Sequence, residues 1–284
     1  MNERDKTLQA FDRLLNIMDE LRERCPWDRK QTIESLRTLT IEETYELSEA
    51  IMDLQQEQGV LDGRLSDAPG PQCGREYANI VKELGDLLLH IVFYAKIGSE
   101  QGDFTIRDVI CTLSDKLVYR HPHVYGTTAV ADSEEVVENW EKLKMREKDG
   151  NKGVLSGVPS GLPALIKAYR MQDKARAVGF DWEERAQVWT KVEEELAEFK
   201  EAHIEGNTEN MEAEFGDLLF SLVNAARLYD INPETALEQT NRKFIRRFNY
   251  LEQETIKKGR SLKDMTLAEM DEIWERAKGL GIRN

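Results

Sequence analysis

The chain repeats itself. Glu83-Leu84-Gly85-Asp86-Leu87-Leu88-Leu89 returns as Glu214-Phe215-Gly216-Asp217-Leu218-Leu219-Phe220, and the match runs on through Val92 with Val223, Ala95 with Ala226 and Lys96 with Arg227. Upstream, Glu42-Glu43-Thr44-Tyr45-Glu46 answers Glu194-Glu195-Leu196-Ala197-Glu198; downstream, Trp140-Glu141-Lys142-Leu143-Lys144 answers Trp274-Glu275-Arg276-Ala277-Lys278. Chance likeness between amphipathic helices does not keep three such pairs in one order, so a tandem duplication is expected. A Gly/Pro/Ser-rich stretch, Asp149 to Gly161, has no apolar periodicity and supplies the boundary. The domains are therefore expected at about 1–150 and 160–284.

Each half carries a helical period. Leu84, Leu88, Ile91 and Ala95 fall at i, i+4, i+7 and i+11, as do Phe215, Leu219, Leu222 and Ala226. These rows read as core stripes, and strand-type alternation is nearly absent, so the fold class is all-α with a small helical bundle in each half. Asp132-Ser133-Glu134-Glu135 and Asn232-Pro233-Glu234 read as helix starts. The halves differ in one connection. A Gly-, Pro- and Asp-rich insert, about 59–77, separates Glu46 from Glu83, whereas a short turn at Gly206-Asn207 joins Glu198 to Glu214.

Acids three apart share a helix face. Glu195 with Glu198 and Glu214 with Asp217 would therefore meet if their helices pack antiparallel, as would Glu43 with Glu46 and Glu83 with Asp86. Four carboxylates so close repel unless they sit in open solvent or bind a cation. Oxygen ligands alone suit Mg²⁺, with Mn²⁺ as a substitute, and Mg²⁺ commonly bridges carboxylates to phosphates. One such pair would read as an exposed acidic face; recurrence in both halves favours a metal site. Gly85 and Gly216, each unfavourable inside a helix, point to a close backbone approach beside it. Di-iron bundles need a histidine three residues after a glutamate, and no glutamate here has one.

Cations for a polyphosphate are present as well. Lys243 and Arg247 share a face of a locally basic segment, and Trp274 with Lys278 sets a ring beside an ammonium; Lys116 with Arg120, and Trp140 with Lys144, repeat these spacings. Lys and Arg can hold phosphate oxygens and Trp can pack on a base or sugar, although taken alone these groups read more readily as structural. No GxxxxGK[ST] motif is present, so this is not a P-loop enzyme. His121 and His123 form the one close histidine pair, without a third ligand pattern, and Cys25, Cys73 and Cys111 suit neither a disulfide framework nor a CxxC zinc site.

A net charge of −15 argues against nucleic acid as a partner. No apolar run reaches the roughly 18 residues of a membrane span, so no membrane role is expected. The opening Met1-Asn2-Glu3-Arg4-Asp5-Lys6 lacks the apolar core of a secretion signal, which predicts a cytoplasmic protein.

EExxE followed by ExxD resembles the motif of the MazG family of all-α nucleoside triphosphate pyrophosphohydrolases. Glu42-Glu43 to Glu46 with Glu83 to Asp86 fits it, and so does Glu194-Glu195 to Glu198 with Glu214 to Asp217. Cys25-Pro26-Trp27-Asp28 and His121-Pro122-His123-Val124-Tyr125-Gly126 are similar to further segments of that family's first domain. The likeness covers nearly the whole chain; the long insert before Glu83 departs from the pattern. The resemblance implies tandem domains built as four-helix units completed by homodimerisation, each site made partly by the partner. It implies Mg²⁺-dependent cleavage of NTPs and dNTPs to NMP and pyrophosphate, for pool control or housecleaning. Glu195, Glu198, Glu214 and Asp217 would then hold metal, Lys243, Arg247, Trp274 and Lys278 would contact nucleotide, and Glu194 or a ligating acid would activate water. Glu43, Glu46, Glu83 and Asp86 would be the first half's metal set, with the second half the main catalytic one. The alternative is a non-catalytic nucleotide-binding or regulatory helical dimer.

Overall fold

The computed structural model describes residues 1–57, 73–132, 153–182, 184–257 and 259–280, with 135, 136, 139, 140 and 143. Most of the expected 59–77 insert, and Lys144, lie outside the described residues. No strand occurs among the described residues, and the helices group into two compact units, Met1–Thr128 and Ala129–Asn284. The first unit ends at Thr128, short of the boundary near 150 expected from repeat order. No helix among the described residues is long and apolar enough to cross a membrane.

In the first unit α1 (Glu3–Arg24) starts on a capping box between Asn2 and Asp5, where side chains satisfy backbone donors that the helix itself leaves orphaned. A short 3₁₀ turn, Asp28–Lys30, leads into α2 (Ile33–Glu57), which packs along α3 (Cys73–Gln101). Then come α4 (Ile106–Arg120), begun by the Thr105–Asp108 capping box, and the single turn α5 (Pro122–Tyr125). The core is Met18, Leu36, Val92, Phe93 and Ile97, drawn from α1, α2 and α3. Arg22 ties the α1–α2 connection down, bonding to the Glu100 carboxylate and to the carbonyls of Asp28 and Gln31.

In the second unit α6 (Ala164–Arg176) precedes α7 (Gln187–Glu205) and α8 (Thr208–Leu228), which pack against each other along the hairpin. The Gly206-Asn207 turn works as two caps. Gly206 takes a left-handed φ of 70°, which costs a residue without Cβ little, and the Asn207 side chain accepts from the Asn210 amide. The expected cap at Asn232, accepting from the Thr235 amide at 3.0 Å, opens α9 (Pro233–Lys257), and Asp132 likewise accepts from the Glu135 amide. Finally α10 (Leu267–Gly279) packs against α9. Val188, Val192, Leu218 and Ala225 form the core between α7 and α8.

The expected core stripes do not face inward. Leu84, Leu88 and Ile91 are 50%, 39% and 47% exposed, and Phe215, Leu219 and Leu222 are 48%, 42% and 41% exposed; of the two rows only Ala95 is fully buried. The reason is that α3 and α8 are apolar on more than one side. A different row, with Val92, Phe93 and Ile97 on α3 or Leu218, Ser221 and Ala225 on α8, meets the neighbouring helices. A helix apolar nearly all round is made to be covered on both sides. Nor is the expected close backbone approach made at Gly85 or Gly216 among the described residues, since a Cβ at either would meet nothing within 4 Å.

Candidate active site

In the second unit the α7–α8 hairpin brings together acids that lie far apart along the chain. Glu195, Glu214 and Asp217 each offer a carboxylate oxygen within 4.8 Å of the others. That is close to the separation of about 4 Å between oxygens on opposite sides of a Mg²⁺ ion with ligands at about 2.1 Å. The donor set is all oxygen, which fits Mg²⁺ or Mn²⁺. Glu195 is buried, Glu214 half-buried and Asp217 exposed. Glu198 lies outside that tightest group, yet its carboxyl is pushed up by partial desolvation and then by the charges of Glu195, Glu214 and Glu194. Glu194 is exposed, and its carboxylate accepts from Lys191 at 2.9 Å. Lys191 also reaches Glu195 at 2.6 Å, and these bonds hold its ammonium well above the usual lysine range.

The first unit repeats the cluster with a different counter-ion. Oxygens of Glu43, Glu46 and Glu83 come within 4.8 Å of one another. Asp86 joins through Lys82, whose Nζ lies 2.9 Å from Glu83, 3.6 Å from Asp86 and 4.0 Å from Glu46. Burial and the charges of Asp86, Glu46 and Glu83 push the Glu43 carboxyl up. One oxygen of the buried Glu83, Oε2, has no hydrogen-bond partner, a costly state for a buried acceptor and one that a bound cation would relieve.

A cleft of about 720 Å³ opens beside the second cluster, with Lys191, Glu195 and Asp217 in its lining. Its other walls use residues that the sequence reading passed over: Gln172 on α6, the Phe180-Asp181-Trp182 loop, and Asn224 and Arg227 on α8. The signal for Asn224 was present, since it follows Asp217 by seven residues on one helical face. Arg227 stood out only as the repeat's answer to Lys96, and its pairing with Asp181, 46 residues away, gave no signal.

Lys243, Arg247, Trp274 and Lys278 do not line this cleft. They lie on α9 and α10, where the Arg247 guanidinium sits 5.9 Å from the Trp274 ring centre and Phe244 packs against the same ring at 5.1 Å. Arg247 Nε is buried without a partner, and Lys278 pairs with Glu275. In the first unit, Lys116 and Arg120 share α4, and His121 sets Nδ1 2.6 Å from the Leu117 carbonyl at that helix's end.

Comparison with known proteins places this geometry. The model of the MazG nucleotide pyrophosphohydrolase domain matches residues 31–125 and 184–251, one segment in each half. A nucleoside triphosphate pyrophosphohydrolase/pyrophosphatase MazG of Thermotoga maritima is 43% identical over 95% of this chain and 96% of its own length. A nucleoside triphosphate pyrophosphohydrolase of Escherichia coli K12 is 35% identical over 95% and 98%. The Bacillus subtilis protein YabN is 44% identical over 94% of this chain but only 51% of itself. With both repeats matched and full-length relatives aligned end to end, the chain belongs to the MazG family of nucleotide pyrophosphohydrolases.

Proposed function

We propose that this protein hydrolyses nucleoside triphosphates, ribo- or deoxyribo-, to the monophosphate and pyrophosphate, with the second repeat, 160–284, carrying most of the turnover. The observation behind this is the convergence of Glu195, Glu214 and Asp217, with Glu198 beside them, at the edge of a nucleotide-sized cleft. The names of the full-length relatives support the same reaction. Glu195, Glu214 and Asp217, with Glu198, would hold Mg²⁺, which would supply charge neutralisation for the polyphosphate and a more acidic water. Glu194 or one of the clustered acids would orient a water, or take its proton, for in-line attack. Lys191 offers a positive charge on the same wall.

The first repeat is closer to a structural copy. Asn224 and Lys191 answer by repeat order to Phe93 and Leu39, which belong to or pack on the first unit's core, and Lys82 already spans that unit's acids.

Lys243, Arg247, Trp274 and Lys278 contact nucleotide in this reading, and in a homodimer a second copy can bring them to a site their own chain does not offer them. The exposed rows Phe215, Leu219, Leu222 and Leu84, Leu88, Ile91 support such a dimer. A cytoplasmic role in pool control or housecleaning accords with this chemistry, and the net charge of −15 disfavours nucleic acid.

The test is incubation with each common NTP and dNTP plus Mg²⁺, with the products resolved chromatographically. NMP and pyrophosphate, abolished by EDTA, are the expected result. NDP and phosphate would overturn the reaction; tight binding without turnover would leave the regulatory dimer instead.

A further inference from the structure

The cleft holds an amide whose direction is fixed by its neighbours. Asn224 Oδ1 accepts from Arg227 Nε at 3.1 Å and Nη2 at 2.8 Å. A guanidinium only donates, so the oxygen must face it and the Nδ2 group must point elsewhere. Arg227 is held in turn by the Asp181 carboxylate, through Nη1 at 3.0 Å and Nη2 at 2.5 Å. Both side chains of this pair are largely buried, at 6% and 20% exposure. A buried ion pair is often no more stabilising than apolar side chains of the same volume. Supporting the loop does not by itself explain the pair; aiming Asn224 does. Among the described residues Asn224 Nδ2 donates to nothing.

The position fits a nucleotide. Asp217, Ser221 and Asn224 follow at i, i+4 and i+7 on α8, and all three line the cleft. At about 1.5 Å per residue, Asn224 stands about 10 Å along the helix from Asp217, of the order of the reach from a nucleotide's α-phosphate to its base. Phe180, 81% exposed, and Trp182, 39% exposed, lie on the same cleft without being covered by the core. Flat apolar rings left open in this way are surfaces on which bases stack.

We propose that Asn224 reads the nucleobase, donating from Nδ2 to a ring-nitrogen or carbonyl acceptor of a base lying against Phe180 and Trp182. Asp181 and Arg227 are positioning residues that hold the amide in this sense. The inference rests on the nucleotide reading above and adds to it where selectivity among bases resides.

The experiment compares wild type and Asn224→Ala on the four ribonucleoside triphosphates and on ribose 5-triphosphate, which has no base. The base-free compound is read as a substrate, or as a competitive inhibitor where it is only bound. Asn224→Ala is expected to lower kcat/KM for the preferred nucleotides about tenfold, the loss of one hydrogen bond, and to leave the base-free constant unchanged. Asp181→Asn, which keeps the shape and removes the charge, should move the same ratio the same way by less. An equal fall with and without a base, or an unchanged ratio, overturns the inference while leaving the proposed reaction intact. Failure of the wild type to release pyrophosphate from any nucleotide overturns that reaction, and the inference with it.

Discussion

Lys191 Nζ lies 2.6 Å from the carboxylate of Glu195, one helical turn further along α7. The Glu195 side chain is 8% exposed, so without a metal this ammonium is its main compensation. Lys191→Met should destabilise the metal-free protein by at most about 1 kcal/mol, discounted because the lysine is 38% exposed. Addition of Mg²⁺ should close most of the gap. Thermal unfolding in EDTA and in Mg²⁺ measures both, and equal melting of variant and wild type in EDTA would show that Lys191 compensates nothing.

Asp217→Asn and Glu214→Gln should each lower turnover on the order of 10³-fold, because several kcal/mol of charge stabilisation go with the ion they help hold. Asp217 is exposed and Glu214 half-buried, so the fold should persist. Glu83→Gln in the first unit should cost far less activity. Steady-state rates beside far-UV circular dichroism decide this, and equal losses in the two units would place turnover in both repeats.

Removing one partner of the Asp181–Arg227 pair strands the other in a largely buried place. Asp181→Ala should destabilise the second unit by about 3 kcal/mol, and adding Arg227→Met should recover much of that loss. Urea unfolding of the single and double variants tests the pair. A single variant as stable as wild type would mean the guanidinium finds water.

Glu269 caps α10 and accepts from Arg260 and from Thr266, which pulls its carboxyl from an ordinary 4.5 down to about 2. A depressed carboxyl contributes stability that is complete above its ordinary value and is lost as pH falls through the folded one. The C-terminal helix should therefore loosen between about pH 4.5 and 2. Glu269→Gln should flatten that part of the pH–stability curve, and an unchanged curve would assign the acid sensitivity to other groups.

Leu219 and Leu222 are 42% and 41% exposed on the outer side of α8. If that row is the homodimer face, Leu219→Lys should halve the mass in sedimentation equilibrium while leaving helicity unchanged. A variant that keeps the mass of the wild type would move the interface elsewhere.

The all-helical fold and the pairing of acids were legible in the sequence because both depend on spacing along one element. Three residues on a helix return a side chain to the same face whatever surrounds it. That spacing pairs Glu195 with Glu198 and Glu214 with Asp217, and caps such as Asn232 act within one turn. Which apolar row of α3 or α8 faces the core was not legible, since Leu84, Leu88 and Ile91 are as periodic as the row that is buried.

The cleft could not be read from spacing either. Asp181 meets Arg227, and Gln172 donates to the Phe220 carbonyl, across 46 and 48 residues. Lys191 meets Glu194 and Glu195 within its own helix, at i+3 and i+4, but its place on the cleft wall depends on the docking of α8 and the 180–182 loop. Local periodicity thus determined which helices form and which acids share a face. Only the packing of α6, the 180–182 loop, α7 and α8 decided what stands beside those acids, because burial and contact between distant segments depend on how the helices dock and not on any pattern within them.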